Sequence, residues 1–475
     1  MINLWRSAAS VCGLVCVIAV VPLAAQSTLP AATARGIDAA AAEVLKATGV
    51  PSASVAVVQG GKVAYVKAYG MARLDPAMAA EPGMQYSVGS ISKQFTAAMV
   101  LLLVQDGKLK LDDPVGKYLP ELTRANEVTI RQVLSMTSGY QDFWPEDYVM
   151  TSMMKPTNPQ QILDLWAKKP LDFEPGTQWQ YSNTNYVIAG RIVEIVGGKP
   201  LIDQLQERVF RPLKMTGVFN SDTSRLPAND PTGYYQHGLG PLRPAPLEGQ
   251  GWMFAAGELA MPASDLALWN ISLMGRTLLA PASYDTMFTE VTLKGGKGTG
   301  YGLGVKVGSG DGHWFIEHSG EVSGFVAQNS VYPDDKVAVT VLTNEDASSA
   351  AKALALKILP LVLGVSSGTS VDSATVAAEK RALDIFAGLQ DGRLDRSQLT
   401  PFCDAYFTPE AIQDFAMSLK PLGVPTSFKQ VTEVKRGGMT FLVFDVSFPD
   451  KEVHVTVYEE PDGKLEQYLV EPTGS

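Results

Sequence analysis

The sequence predicts an α+β protein: an antiparallel sheet flanked by helices, with a helical insertion, followed by a small C-terminal α+β domain of cone-like shape. Three observations predict it. β-rich runs occur near residues 52–69 and again over 300–343, so one sheet is assembled from two distant parts of the chain. Between them, residues 110–290 are short helices and Pro/Gly loops, which read as an insertion forming the opposite wall of a cleft. A Ser/Gly-rich stretch, Gly364–Ser373, then separates two periodic segments and reads as a linker.

The elements follow in order. Ala32–Thr48 has helical periodicity. Ser52–Gln59 and Lys62–Tyr69 are β-rich and joined by Gly60-Gly61, a hairpin signal. Ser90–Gln105 is apolar and helical, stopped by Gly107. Strand character returns at Gly300–Val307, His313–His318, Gly324–Tyr332 and Lys336–Thr343, and a helix over Ala347–Leu363 closes the large domain. Beyond the linker come a helix (374–389), a short helix (408–419) and strands near 427–434, 440–448, 452–459 and 464–470. Phe441, Phe444, Phe448 and Tyr458 are read as core of that small domain. The chain is thus divided into 1–25, 30–363, 364–373 and 374–475.

Residues 1–25 carry one charge, Arg6, then an apolar run from Ala8 to Val21 and small residues at the end. That is the pattern of a secretory signal peptide cut after Ala25, which predicts an exported protein, periplasmic or extracellular. Cleavage would remove Cys12 and Cys16, leaving Cys403, and would take the formal charge from −10 to −11. No later run is long enough to span a membrane. The acidic balance disfavours nucleic acid as a partner. With only 3 Cys and 4 His in 475 residues, a disulfide scaffold and most zinc sites are excluded. No P-loop, dinucleotide glycine triplet or paired-His metal motif occurs, so no cofactor and no metal is implied.

What remains is nucleophilic chemistry. Gly364-Val365-Ser366-Ser367-Gly368 fits G-x-S-x-G, but a helix precedes it and Ser/Thr follows, so it reads as linker. Ser-x-x-Lys occurs at Ser90/Lys93, Ser152/Lys155 and Ser349/Lys352. On a helix, i and i+3 share a face, and a partly buried lysine gives up its proton readily enough to activate the serine. Lys155 precedes a proline, which disfavours helix there. Lys352 reads as a solvated lysine near a helix start. Ser90 follows Gly89 and opens a strongly apolar helix. From the pattern alone, Ser90 stands evenly between a catalytic serine and an ordinary helix-start residue.

With Ser90 and Lys93 in hand, the chain resembles the serine β-lactamase and penicillin-binding-protein superfamily, most closely the class C β-lactamase-related branch of esterases and D-amino-acid-releasing peptidases. Three motifs stand in that family's order: Tyr86-Ser87-Val88-Gly89-Ser90-Ile91-Ser92-Lys93, Tyr181-Ser182-Asn183 after Pro175-Gly176, and His318-Ser319-Gly320 on a predicted strand. Leu134–Gly139, Ala256-Gly257 and Tyr301–Gly304 support it. The resemblance implies a β-lactamase-like fold and assigns roles. Ser90 would be the acylated nucleophile, Lys93 its proton acceptor, and Tyr181 the second acid/base, leaning towards phenolate. Asn183 would hold Lys93 and the substrate amide. The backbone N–H groups of Ser90 and Glu321 would form the oxyanion hole, beside Ser319 and Gly320.

Two positions depart from the family pattern. His318 stands where many relatives have lysine, and a histidine is mostly neutral near pH 7. This favours an ester, amide or short-peptide substrate over a β-lactam. Met136 stands where relatives often carry histidine and is read as core. The alternatives left open are a true β-lactamase or D-alanyl-D-alanine carboxypeptidase, and a non-catalytic binding protein that keeps the fold.

Overall fold

The computed structural model describes residues 26–364 and 376–474. The leader at 1–25, and the linker and G-x-S-x-G match apart from Gly364, lie outside the described residues.

Helix α1 (Ala31–Thr48) leads into the hairpin β1 (Ser52–Gln59) and β2 (Lys62–Arg73). Gly60 and Gly61 both take positive φ, 61° and 73°, as a two-residue hairpin turn requires. Helix α2 (Ser92–Gln105) follows, and the helical insertion contributes α3 (Asn183–Gly197). The chain then returns through β3 (Lys306–Gly310), β4 (His313–Val322), β5 (Phe325–Tyr332) and β6 (Val337–Thr343), closing with α4 (Ala350–Leu363). β3 starts later than the sequence predicts: Gly300–Val305 is irregular, with Gly300 and Gly304 at positive φ.

The strands run in the order β2-β1-β6-β5-β4-β3, all antiparallel, with the two-residue strands Gln26–Ser27 and Met78–Ala79 both pairing with β2. The two ends of the large domain meet at β1–β6, where Val55 faces Val341 and Val57 faces Val339. These central strands lack polar alternation because helices cover both faces. Val55, Val57, Val339 and Val341 pack with Ile37, Val44, Leu354 and Ile358 of α1 and α4. Ala56, Val58, Ala338 and Leu342 turn to the opposite side and join the larger core that holds Phe95 and Trp269. α2 lies inside that core and is apolar around most of its circumference, as a buried helix should be.

The C-terminal domain lays α5 (Val376–Gln390) and the helices Pro401–Tyr406 and Pro409–Leu419 on a four-stranded meander. Its strands are β7 (Ser427–Arg436), β8 (Met439–Ser447), β9 (Glu452–Glu459) and β10 (Leu465–Pro472). Phe444 and Phe448 are core, as expected. Tyr458 is buried as expected but also borders the cavity described below, and Phe441 departs from the expectation, being half-buried on the wall of that cavity. The domain is placed against the large domain through Arg243–Asp414 of the helix Pro409–Leu419 (2.6 Å) and, from the sheet, through Tyr148 Oη donating to the Glu466 carbonyl (3.0 Å) and Gln467 bonding Asp147.

Candidate active site

Ser90 lies on a single 3₁₀ turn, Gly89–Ile91, immediately ahead of α2 rather than inside the α-helix. The turn carries Gly89 at φ 49°, and a Cβ there would stand 2.6 Å from the Glu321 nitrogen. From the other side, a Cβ on Gly320 would stand 1.9 Å from the Val88 carbonyl oxygen and 3.0 Å from the Ser90 nitrogen. Two glycines therefore let β4 and the Ser90 turn approach backbone to backbone, which places the Ser90 and Glu321 N–H groups side by side. The other two Ser-x-x-Lys matches stay apart from this site: Ser152 is in a separate 3₁₀ turn, and Ser349 precedes α4 with Lys352 exposed.

Lys93 is completely buried in the first turn of α2. Its Nζ is 2.8 Å from Ser90 Oγ, 2.8 Å from Asn183 Oδ1 and 2.9 Å from the Ala256 carbonyl oxygen. Burial pushes the Lys93 ammonium well below its ordinary value; the nearby Asp142 charge opposes this and Arg436 adds to it. A neutral amine has two N–H bonds and one lone pair. It can donate to Asn183 and Ala256 and accept the Ser90 hydroxyl, which is the arrangement a general base needs.

Asn183, at the start of α3, is fixed in turn. Its N–H donates to Asp142 Oδ1 (2.8 Å) and its side-chain amide donates to the Trp144 carbonyl (2.9 Å). Tyr181 lies near enough to Ser90 for the hydroxyl to act on its phenol, and its ring centroid is 5.0 Å from Lys93 Nζ. Burial raises the Tyr181 phenol above its ordinary value, more than the Ser90 hydroxyl and the Arg436 charge lower it. The phenol is therefore protonated at rest, which corrects the phenolate leaning expected from the sequence.

His318 is buried on β4. Its Nδ1–H donates to the Ser319 carbonyl, which leaves Nε2 to accept from Tyr301 Oη at 3.0 Å. Burial lowers His318 to about 3, so the imidazole is neutral. The Glu321 side chain turns away to accept the Ala347 N–H at 2.7 Å, and burial raises its carboxyl well above the usual range. Met136, at φ 62°, is buried, and its sulfur accepts weakly from Ser182 N and Asn185 Nδ2.

All eight sequence candidates come together: Ser90, Tyr181, Asn183, His318, Ser319, Gly320 and Glu321 line one cleft, and Lys93 is buried behind it, bonded to Ser90 and Asn183. The cavity measures about 360 Å³, and its walls include Trp144, Trp252, Phe441, Glu146 and Arg436. Sequence reasoning missed Asp142, Tyr301 and Arg436. Asp142 lies just past the quoted Leu134–Gly139, Tyr301 opens the quoted Tyr301–Gly304 but was given no role of its own, and nothing in the local sequence marks Arg436 as a cleft residue. Among the described residues, no group of His, Cys, Asp and Glu is placed to hold a metal ion, and no helix is long and apolar enough to cross a membrane.

Comparison with known proteins agrees with this geometry. The family described as Beta-lactamase matches residues 37–361. A D-aminopeptidase from Brucella anthropi is 28% identical over 338 residues, 69% of this chain and 62% of the relative, so the match leaves more than a third of that relative uncovered. A D-stereospecific amidohydrolase structure from Streptomyces sp. is 28% identical with a TM-score of 0.59, covering 70% of this chain and 99% of that one. An octameric penicillin-binding protein homologue from Pyrococcus abyssi, 20% identical, shares the fold over 92% of this chain and 99% of its own, with a TM-score of 0.62.

Proposed function

Because the chain belongs to the Beta-lactamase family, we propose that it is a serine hydrolase that cleaves an amide or ester bond through a Ser90 acyl-enzyme. The observation that carries this reading is the buried Lys93 amine, 2.8 Å from Ser90 Oγ and bound on its other side by Asn183 and Ala256.

The steps follow from the geometry. Lys93 takes the Ser90 proton as Oγ attacks the substrate carbonyl. The carbonyl oxygen gains charge between the N–H groups of Ser90 and Glu321, which are fixed backbone donors. Tyr181, protonated and beside Ser90, gives its proton to the leaving nitrogen or oxygen, and the proton held on Lys93 refills it. Water then attacks the ester carbonyl, with Tyr181 and Lys93 acting in reverse to release the acid and restore Ser90.

The substrate reading is an uncharged-ended amide, ester or short peptide, of D configuration by analogy with the aminopeptidase and amidohydrolase relatives. Neutral His318 supports it, since that strand offers no permanent cation to a substrate carboxylate. The pattern of residues 1–25 supports an exported protein. The test is intact mass after treatment with a fluorophosphonate and, separately, a penicillin. A fluorophosphonate adduct absent from Ser90→Ala is expected. Penicillin labelling with fast release would favour a β-lactamase instead, and no adduct from either reagent would leave a binding protein.

A further inference from the structure

We infer that the C-terminal domain is a working part of the active site: its β7–β8 hairpin seats Arg436 over Tyr181, where the guanidinium fixes the Asp142–Asn183–Lys93 chain and keeps a positive charge beside the Lys93 amine. This rests on the Ser90 acyl-enzyme reading.

The hairpin is built for the approach. Arg436 is the last residue of β7, and Gly437-Gly438 turn the chain at φ 59° and 82°, a left-handed pair that glycine adopts without strain. The turn presses on the large domain so closely that a Cβ on Gly437 would stand 2.9 Å from Pro145 Cβ. The guanidinium carbon lies 5.3 Å from the Tyr181 ring centroid and 5.7 Å from that of Tyr458. Nη1 donates to Tyr458 Oη at 2.7 Å and lies 3.5 Å from Asp147 Oδ1; Nη2 donates to the Trp144 carbonyl at 3.4 Å. Nε is buried 3.7 Å from Asp142 Oδ2 and makes no hydrogen bond.

The same loop of the large domain is held twice by this domain. Gln467 accepts from the Asp147 N–H (2.8 Å) and donates to its carboxylate (2.9 Å), while Tyr148 Oη donates to the Glu466 carbonyl (3.0 Å). That loop carries Asp142 and Trp144, the two residues that hold Asn183, and Asn183 holds Lys93. The sheet of one domain is therefore linked to the base of the other by a short chain of polar contacts.

The charges decide what this linkage does. Lys93 faces Ser90, Asn183, Asp142, Tyr181, Tyr186, His318 and Arg436. Arg436 faces Asp142, Asp147, Tyr181 and Tyr458. Asp142 favours a protonated Lys93, which cannot act as a base. Arg436 offsets that carboxylate and disfavours a second cation close by. Arg436 is thus a positioning residue that acts through Asp142 and Lys93.

The test uses the full chain and the second-order rate of fluorophosphonate labelling measured against pH. Arg436→Gln is expected to move the midpoint of the rising limb upward by about one pH unit, with a roughly tenfold slower rate at neutral pH. Arg436→Lys keeps the charge and is expected to return most of the midpoint. Gly437→Ala leaves the guanidinium intact but pushes the hairpin off Pro145, and is expected to move the midpoint the same way if Arg436→Gln does not fold. Thermal melting separates these effects from simple unfolding, which lowers amplitude and leaves the midpoint in place. Labelled wild type with an unmoved midpoint in a folded Arg436→Gln or Gly437→Ala variant overturns this inference alone, as does failure of Arg436→Lys to restore the midpoint. Wild type that does not label at all overturns the Ser90 reading and this inference with it.

Discussion

Gly320→Ala is the sharpest test of the oxyanion geometry. The added methyl would lie 1.9 Å from the Val88 carbonyl oxygen, 2.9 Å from the Val88 carbonyl carbon and 3.0 Å from the Ser90 nitrogen. These are backbone atoms, so no side chain can swing away to make room. Even a tight 3.0 Å contact to the oxygen requires β4 and the Ser90 turn to part by about 1.1 Å. A misplacement of about 1 Å costs on the order of 10²-fold in rate, and loss of one oxyanion donor costs about 10²–10³-fold. The overpacking itself costs about 1–3 kcal/mol, felt as a melting temperature lower by several degrees. We therefore expect Gly320→Ala to fold, keep Lys93 beside Ser90, and turn over a p-nitrophenyl ester about 10²–10³-fold more slowly. Retention of activity within about threefold would refute the claim that this close approach builds the oxyanion hole.

Two further outcomes are expected. Tyr181→Phe should lower ester turnover by about 10²–10⁴-fold with little change in melting temperature, because only a proton-carrying hydroxyl beside Ser90 is lost; unaltered turnover would remove its acid/base role. Asp346 is raised from 3.8 to about 7, chiefly by burial, so its folded state holds a proton that the unfolded chain has already released above about pH 4. Its contribution to stability is complete below that pH and falls by about 1.4 kcal/mol per unit as pH rises towards 7. Asp346→Asn should therefore gain stability relative to the wild type from about pH 5 to about pH 7 and level off above it; parallel melting curves across that range would sink the argument.

The parts of this molecule that were legible in its sequence are those whose physics is local. Gly60-Gly61 announces its hairpin, and Ser90 and Lys93 announce themselves because three residues make nearly one helical turn. Even there the sequence reading was slightly off, since Ser90 sits on a 3₁₀ turn ahead of the helix. Tyr181, Asn183 and His318 became visible only through resemblance, because their meaning depends on chain segments about 90 and 230 residues from Ser90. The protonation of Tyr181 was misjudged for the same reason: a motif carries no burial, and burial is what sets that proton. Asp142 and Arg436 were not legible. Asp142 acts by accepting from a backbone N–H, and Arg436 matters only because a separate sheet docks where it does. Phe441 and Tyr458 look like core on alternation alone, yet they face a cavity that only the docked pair of domains encloses.

The charge count takes on a different meaning once the acids are located. A formal −10 treats every carboxylate as ionised. Glu146, Glu321 and Asp346 line the cavity, and Glu471 lies close enough for its charge to act on Glu321. Burial is the largest cause of a raised carboxyl in each, and like charges nearby add to it. These acids therefore ionise less readily than exposed ones, so the formal count overstates the negative charge of the cleft. An anionic substrate entering the cleft would meet raised carboxyls, a neutral His318, an Arg436 already faced by Asp142 and Asp147, and the two lysines of the cavity wall, Lys306 and Lys435. A carboxylate-bearing ligand would have to displace one of those partners to reach the guanidinium. A neutral ester or amide meets no such barrier, and a carboxyl that keeps its proton can accept from or donate to it. The raised carboxyls therefore weigh in the same direction as the loss of lysine at position 318, against the pull of Lys306 and Lys435 on the same wall.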